Sequence, residues 1–220
     1  MRISDDRYSR ERARMELALR FLRHEARTQT IRAWTGLSDD RIRKLYRSYM
    51  SQARRYLPRH RGKSPHQVAY FTRSLRLQEE TAALASLLSL LGAVPATVTA
   101  RPPGADAADA ASTVEVPGSL PVLARGELLC QAFEAFRMYL PSAQISFEHA
   151  VFLASALTRG DQLRLGGCCD CGSLMVTERL PLRDARCHRC TGPAQSRAEP
   201  HREARAAREP RACDAGHAGR

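Results

Sequence analysis

Two Cys-x-x-Cys pairs in the last third of the sequence constrain its fold more than any other feature. Cys168 and Cys171 form the first pair, fifteen residues follow, and Cys187 and Cys190 form the second pair. Thiolates three positions apart in a tight turn can point at one ion, and Gly172 permits such a turn after the first pair. Two turns facing each other give tetrahedral coordination by four sulfurs, so the sequence predicts one structural Zn²⁺ bound by these four cysteines.

Other uses of the four cysteines stay open at this point. An iron–sulfur cluster or a rubredoxin-like iron would use the same thiolates, and a dithiol redox pair or a metal-free segment are further alternatives. A thioredoxin-type pair lies at a helix N-terminus after a strand, and neither pair has that context. Four cysteine ligands also leave no open coordination position, so we expect a structural rather than a catalytic metal.

The neighbours of the ligands need a separate prediction. Cys169 could replace Cys168, but its spacing to Cys171 is too short for an ordinary turn. We therefore expect Cys169 to lie outside the ligand set. His188 lies inside the second pair, and we expect its side chain to point outward.

The rest of the chain has the apolar spacing of α-helices. This spacing predicts helices at about 7–26, 27–34, 38–50, 66–92, 122–139 and 147–157. The fold class expected is mainly α, a multi-helix domain with a helix-turn-helix-like segment and a small C-terminal four-cysteine zinc-ribbon-like module. Residues 95–121 are rich in Pro, Gly and Ala, which predicts a flexible insert and not a packed element.

These features divide the chain into three predicted parts. A helical domain covers residues 1–160, and the four-cysteine zinc module covers 161–192. A basic tail at 193–220 contains no Leu, Ile, Val or aromatic residue. Such a composition cannot bury enough apolar surface to fold, so we expect the tail to be disordered.

Residues 28–48 have the pattern of a helix-turn-helix. Gly36 marks the turn and Ser38 is a suitable N-cap for the second helix. The residues expected to face the core are Ile31, Leu37, Ile42 and Leu45. The residues expected on the exposed face of the second helix, where they could reach DNA phosphates or guanine edges, are Arg41, Arg43, Lys44 and Arg47. A helical hairpin with a basic surface gives the same pattern.

Charge favours a polyanionic partner. The net charge is +12, and residues 1–60 hold 16 Lys and Arg against 7 Asp and Glu, which is three-quarters of that excess. Basic residues near phosphates release condensed counterions, so this distribution suits nucleic acid. A well-solvated basic surface is the other interpretation.

Several classes of protein are not expected from this sequence. It contains no P-loop, no Gly-rich nucleotide-binding turn and no HExxH motif, so we do not expect an enzyme. The longest apolar run, Leu84–Val98, includes Gly92 and Pro95 and is too short to span a bilayer. The polar N-terminus lacks the apolar core of a signal peptide, so we expect a cytoplasmic protein.

Several stretches together resemble the FlhC family, the flagellar transcriptional activator subunit of proteobacteria. The similarity covers roughly residues 8–192 without the Pro/Ala-rich insert. The matching stretches are Met15–Ala18, Gly36–Ser38, Arg41–Tyr46, Phe133–Leu140, Leu163–Gly172 and Cys187–Cys190.

The resemblance implies a fold, partners and a function. FlhC-type proteins are mainly helical and act in a hetero-hexamer with the partner subunit FlhD. The complex binds promoter DNA upstream of flagellar class II operons and recruits RNA polymerase. The zinc cysteines of the family correspond to Cys168, Cys171, Cys187 and Cys190.

An RNA- or ribosome-associated zinc-ribbon protein is the alternative function. It would be equally basic and equally cytoplasmic. Proteins of this kind usually combine basic residues with aromatic rings that stack on bases. Residues 160–220 contain no aromatic residue, which favours the DNA-binding interpretation.

Overall fold

The computed structural model describes residues 3–53, 60, 62–95, 98–99, 120–178 and 186–191. The helices in these residues are α1 Ile3–Arg23, α2 Thr28–Thr35, α3 Asp39–Ala53, α4 Leu75–Leu90, α5 Val122–Tyr139, α6 Phe147–Arg159 and the one-turn α7 His188–Thr191. The strands are β1 Val98–Thr99, β2 Leu163–Gly167 and β3 Leu174–Glu178. The prediction of a mainly helical chain is confirmed.

Local sequence explains where α4 begins. The spacing at 66–92 predicts one helix, but the structure has a 3-10 turn at Val68–Phe71 followed by α4. The hydroxyl of Ser74 accepts a hydrogen bond from the N–H of Leu77 at 3.3 Å and caps α4. The prediction of a single helix was wrong here because a capping serine starts a second helix inside the apolar pattern.

The helices α1, α2, α5 and α6 pack on one another through large aromatic side chains. Phe21 is fully buried, and its ring centroid lies 5.0 Å from that of Phe147 in an edge-on contact. The ring centroids of Phe21 and Trp34 are 6.0 Å apart. A Cβ atom on Gly126 would come within 2.7 Å of Cδ2 of Leu17, so α5 approaches α1 closely at this glycine. The core therefore depends on precise contact between helices that are distant in sequence.

A small sheet joins the cysteine region to this core. β2 and β3 are antiparallel, with Leu165 opposite Val176, and β1 pairs in parallel with β2 through Val98 and Leu165. Leu163, Leu165 and Val176 are buried in the same apolar core as the helices. β3 packs against α4, and β2 packs against α6. The sheet thus attaches the cysteine turns to the helical body.

The structure describes part of the predicted insert at 95–121 and none of the predicted tail. Within the predicted 95–121 insert, Val98–Thr99 forms β1, so the expectation of no packed element was wrong at these two residues. Residues 96–97 and 100–119 lie outside the described residues, as does the predicted tail at 193–220. Among the helices that the structure describes, none has both the length and the apolar character needed to cross a membrane.

Candidate metal centre and basic helix pair

The first cysteine pair lies in the tight turn between β2 and β3. The N–H of Cys168 donates to the carbonyl of Ser173 at 2.9 Å, and the N–H of Gly172 donates to the carbonyl of Cys168 at 2.9 Å. Gly172 has a φ of 72°, in the left-handed region that glycine adopts without a Cβ penalty. These bonds close the turn and hold Cys171 near Cys168, as the position of Gly172 predicts.

The second pair is attached to the first by the backbone. Cys187 and Cys190 flank the start of α7, and the N–H of Cys190 donates to the carbonyl of Cys187 at 3.0 Å. The N–H of Cys187 donates to Sγ of Cys168 at 3.2 Å. This bond fixes the start of the second pair against the first pair.

The structure brings all four predicted cysteines together. Their Sγ atoms lie within 4.8 Å of one another, and those of Cys171 and Cys187 are 3.5 Å apart. Zinc–sulfur bonds of about 2.3 Å place the sulfurs of a tetrahedron about 3.8 Å apart, so shifts of about 1 Å suffice for coordination. Cys168 and Cys187 are buried. The cluster can hold a metal ion, and a donor set of four sulfurs suits zinc or iron.

Hydrogen bonds and burial give the thiols different acidities. Burial opposes ionisation of Cys171, but hydrogen bonds with Ser173, Cys187 and Cys190 together outweigh it and lower the pKa of Cys171 to about 6. The Ser173 hydroxyl lies 3.1 Å from Cys171 Sγ. Burial raises the pKa of Cys187 and contributes most to the raised pKa of Cys190. Metal binding therefore has to displace protons from the cluster, as it does in thiolate sites generally.

Two residues next to the candidate ligands, Cys169 and Arg186, lie outside the four-cysteine cluster. Cys169 is exposed and lies outside the cluster, with its Sγ 3.7 Å from a carboxylate oxygen of Asp170. Arg186 forms an ion pair with the carboxylate of Asp170 at 3.3 Å, which links the segments that carry the two pairs. The side chain of His188 lies outside the described residues. Sequence analysis missed Ser173 and Arg186, because no spacing rule marks them.

The predicted helix-turn-helix segment contains two helices, α2 and α3, on either side of Gly36, and its assignment as a helix-turn-helix stays a prediction. Gly36 ends α2 with a φ of 69°, and α3 begins three residues later. Three of the four residues predicted to face the core are buried: Ile31, Leu37 and Ile42. The fourth, Leu45, is half-buried and packs against the core. Ser38 is close to an N-cap position, with its Oγ 3.5 Å from the N–H of Arg41. The expectation that α3 binds DNA stays a prediction.

Two of the four predicted DNA-binding residues are engaged by carboxylates of the same chain. Arg41 forms an ion pair with Glu11 of α1. Arg43 lies 3.1 Å from a carboxylate oxygen of Asp40, one turn earlier on α3. All of these side chains except Glu11 are at least half exposed, so the ion pairs are solvent-screened and weak.

The other two predicted DNA-binding residues, Lys44 and Arg47, are exposed. Lys44 and Arg47 form no ion pair with any residue that the structure describes. They lie three positions apart on α3, which places them on one face of the helix. The uncompensated positive charge of the helix pair is therefore concentrated at these two side chains.

No protein-family model and no curated protein matches this sequence. The class of the protein is therefore defined by its own fold and site. It is a mainly helical protein in which a small sheet presents a C-terminal cluster of four cysteines that can bind a metal ion.

Proposed function

We propose that this protein is a zinc-containing, DNA-binding subunit of a heteromeric transcriptional activator of flagellar class II operons. It acts in the bacterial cytoplasm with an FlhD-type partner in a hetero-hexamer, binds promoter DNA and recruits RNA polymerase. The resemblance to FlhC supplies the partner and the target. The observation that carries DNA binding is the exposed basic face of α3 at Lys44 and Arg47, whose charges no described carboxylate offsets.

The geometry of α3 supports contact with a DNA groove. It is a helix of 15 residues, and the major groove of B-DNA is wide enough to admit one α-helix. Ile42 is buried at 2% exposure and anchors the opposite face of the helix in the core. Lys44 and Arg47 can therefore approach phosphates or base edges without unpacking the domain. Arg41 and Arg43 can join them, because exposed ion pairs exchange readily for phosphate contacts.

The four cysteines give the metal a structural role in this proposal. Cys168, Cys171, Cys187 and Cys190 hold one Zn²⁺, and because all four positions are filled the ion supplies cross-linking rather than chemistry. The cluster connects the β2–β3 turn to α7, and both β3 and α7 pack on α4. The metal therefore ties α7 to the β2–β3 turn, which the sheet already holds on the helical body.

The test measures promoter binding by the complex as a function of salt. The chain is co-expressed with the FlhD-type partner, and fluorescence anisotropy with labelled promoter duplex is followed from about 50 to 200 mM salt. The double variant Lys44→Gln/Arg47→Gln should lower the slope of log affinity against log salt by about 1.8, the value for two lost phosphate contacts. Arg159→Gln removes an exposed arginine that is paired with Asp161 at the end of α6, and it serves as the matched control.

The possible results separate the two candidate functions. Promoter affinity that falls steeply with salt, and a smaller slope in the double variant only, support the proposal. Affinity that is independent of salt, or an equal loss in Arg159→Gln, contradicts it. Competition with structured RNA forms the second arm, and preferential RNA binding would favour the RNA- or ribosome-associated alternative. Failure to associate with the partner would contradict the heteromeric assignment.

A further inference from the structure

A cleft of about 680 Å³ lies on a surface formed by the end of α1, the end of α5 and the start of α6. Sites for small organic molecules in proteins have volumes of roughly 300–1,000 Å³, so the cleft is of suitable size. Its lining includes no residue of the cysteine cluster and none of α3. The metal and DNA-binding roles proposed above therefore leave this cleft unexplained.

The floor of the cleft is aromatic and tightly packed. The imidazole of His24 stacks on Phe147 with ring centroids 4.9 Å apart and an interplanar angle of 21°. Phe133 meets both rings edge-on, at 5.4 Å from His24 and 5.2 Å from Phe147. At one side lies Met138, which is 83% exposed. Phe133 and Phe147 are buried, so a bound planar group would meet mainly the half-buried imidazole of His24 that they support.

Glu134, whose carboxylate meets His24 in the cleft, is hydrogen-bonded within the protein. Both oxygens of Glu134 accept hydrogen bonds from the guanidinium of Arg20, at 2.7 and 3.0 Å. His24 Nε2 lies 3.0 Å from the same carboxylate. Arg20 also donates to Glu127 at 2.5 Å, so its charge is shared between two carboxylates.

The other two glutamates of the cleft also have internal partners. Glu148 is buried and accepts hydrogen bonds from the N–H of Arg27 at 2.8 Å and from the hydroxyl of Thr30 at 2.9 Å. Glu25 lies 3.0 Å from Nε2 of His60. Each of the three acids in the lining therefore has a hydrogen-bond partner within the protein.

Two rim arginines have no carboxylate partner in the part of the chain that the structure describes. Arg23 is exposed, and Arg137 donates from Nη1 to the backbone carbonyl of Ala143 at 2.8 Å. Burial lowers the pKa of His24 and of His149, so both imidazoles are neutral at pH 7. Arg23 and Arg137 are thus the arginines of the lining that no described carboxylate pairs, whereas Arg27 meets Glu148.

We propose that this cleft binds a small organic anion with a planar apolar body. Arg23 and Arg137 hold its carboxylate or phosphate group, and the ring lies against His24, which Phe133 and Phe147 support from below. Guanidinium groups suit this task because their planar forks bind carboxylates and phosphates through paired hydrogen bonds. The site is separate from the basic face of α3, so the protein has a ligand site in addition to its nucleic-acid site.

Isothermal titration calorimetry on the full chain purified with zinc tests this assignment. The probes are benzoate against benzamide for a carboxylate, and phenyl phosphate against phenol for a phosphate. The members of each pair share the ring and differ in the negative charge. At least one anion should bind with a Kd at or below about 1 mM, and its neutral counterpart should bind at least about tenfold more weakly, as expected for a charge-assisted contact.

Three variants and one control locate the site. Arg23→Gln and Arg137→Gln should each weaken binding of the anion by about tenfold or more. Met138→Glu adds a negative charge at an exposed position of the lining and should weaken it similarly. Arg159→Gln removes the same charge from the opposite end of α6 and should leave the affinity unchanged. Equal binding of the neutral probes, equal loss in Arg159→Gln, or no binding of either anion at about 10 mM would each overturn the proposal.

Discussion

The adjacent residues Cys168 and Cys169 allow a sharp test of the metal centre. The sequence places two thiols side by side, and the structure separates them: Cys168 is 4% exposed and belongs to the cluster, whereas Cys169 is exposed and lies outside it. Replacement of either by serine removes one thiol and preserves the size of the side chain. Cys168→Ser should therefore lower zinc affinity, and Cys169→Ser should leave it unchanged.

The size of the effect follows from the closed geometry of four sulfur ligands. A structural zinc site stabilises the folded state by on the order of 10 kcal/mol, so one of four thiolates accounts for about 2–3 kcal/mol, or roughly a hundredfold in affinity. Cys168 Sγ also accepts the N–H of Cys187 at 3.2 Å. Loss of that bond adds about 1 kcal/mol to the cost of Cys168→Ser. Cys169 neither belongs to the cluster nor accepts this hydrogen bond, so Cys169→Ser should lose neither the metal ligand nor the bond.

Zinc per chain is measured by elemental analysis, and affinity is measured by competition with a chromophoric chelator. Chelation should also unfold the C-terminal module, which circular dichroism would report as loss of structure. The reasoning would be refuted if Cys169→Ser lost as much zinc as Cys168→Ser, or if Cys168→Ser kept full affinity. A zinc-free protein that retained all of its structure would contradict the folding role of the metal.

Two further predictions concern the helical body. Gly126→Val should lower the free energy of unfolding, measured in urea, by about 1–3 kcal/mol, because its Cβ would lie 2.7 Å from a methyl of the buried Leu17. Unchanged stability would show that the contact relaxes freely. Stability should also fall as the pH drops below about 6.5, because burial lowers the pKa of His24 and His149 and the unfolded chain takes up these protons first. His24→Gln should reduce this pH dependence, whereas an identical urea midpoint at pH 7.5 and 5.5 in the original protein would contradict it.

Elements with a local physical cause are the ones that the sequence predicts well. α5 spans 122–139 and α6 begins at 147, at the predicted residues, because apolar spacing and capping residues act within a few turns. Gly36 and Gly172 both adopt the left-handed φ expected at their turns. The four cysteines also come together as their spacing predicts.

Features that depend on distant segments were not predictable in this way. Two residues of the Pro/Ala-rich insert pair with β2 as β1, and no alternating pattern marks so short a strand. Arg41 meets Glu11 across thirty residues, so spacing alone could not tell that its charge is engaged while that of Lys44 is available. The cleft combines α1, α5 and α6, and its residues share no motif.

The cysteine cluster depends both on local sequence spacing and on tertiary structure. The sequence alone determined which four thiols can bind one ion, because two ligands in a tight turn require only local spacing and a permissive glycine. Tertiary structure decided that β2 and β3 share their core with the helices and that Cys168 is buried while Cys169 is exposed. It also decided which arginines keep uncompensated charge. Burial and ion pairing depend on which distant surfaces meet, and local spacing does not encode that.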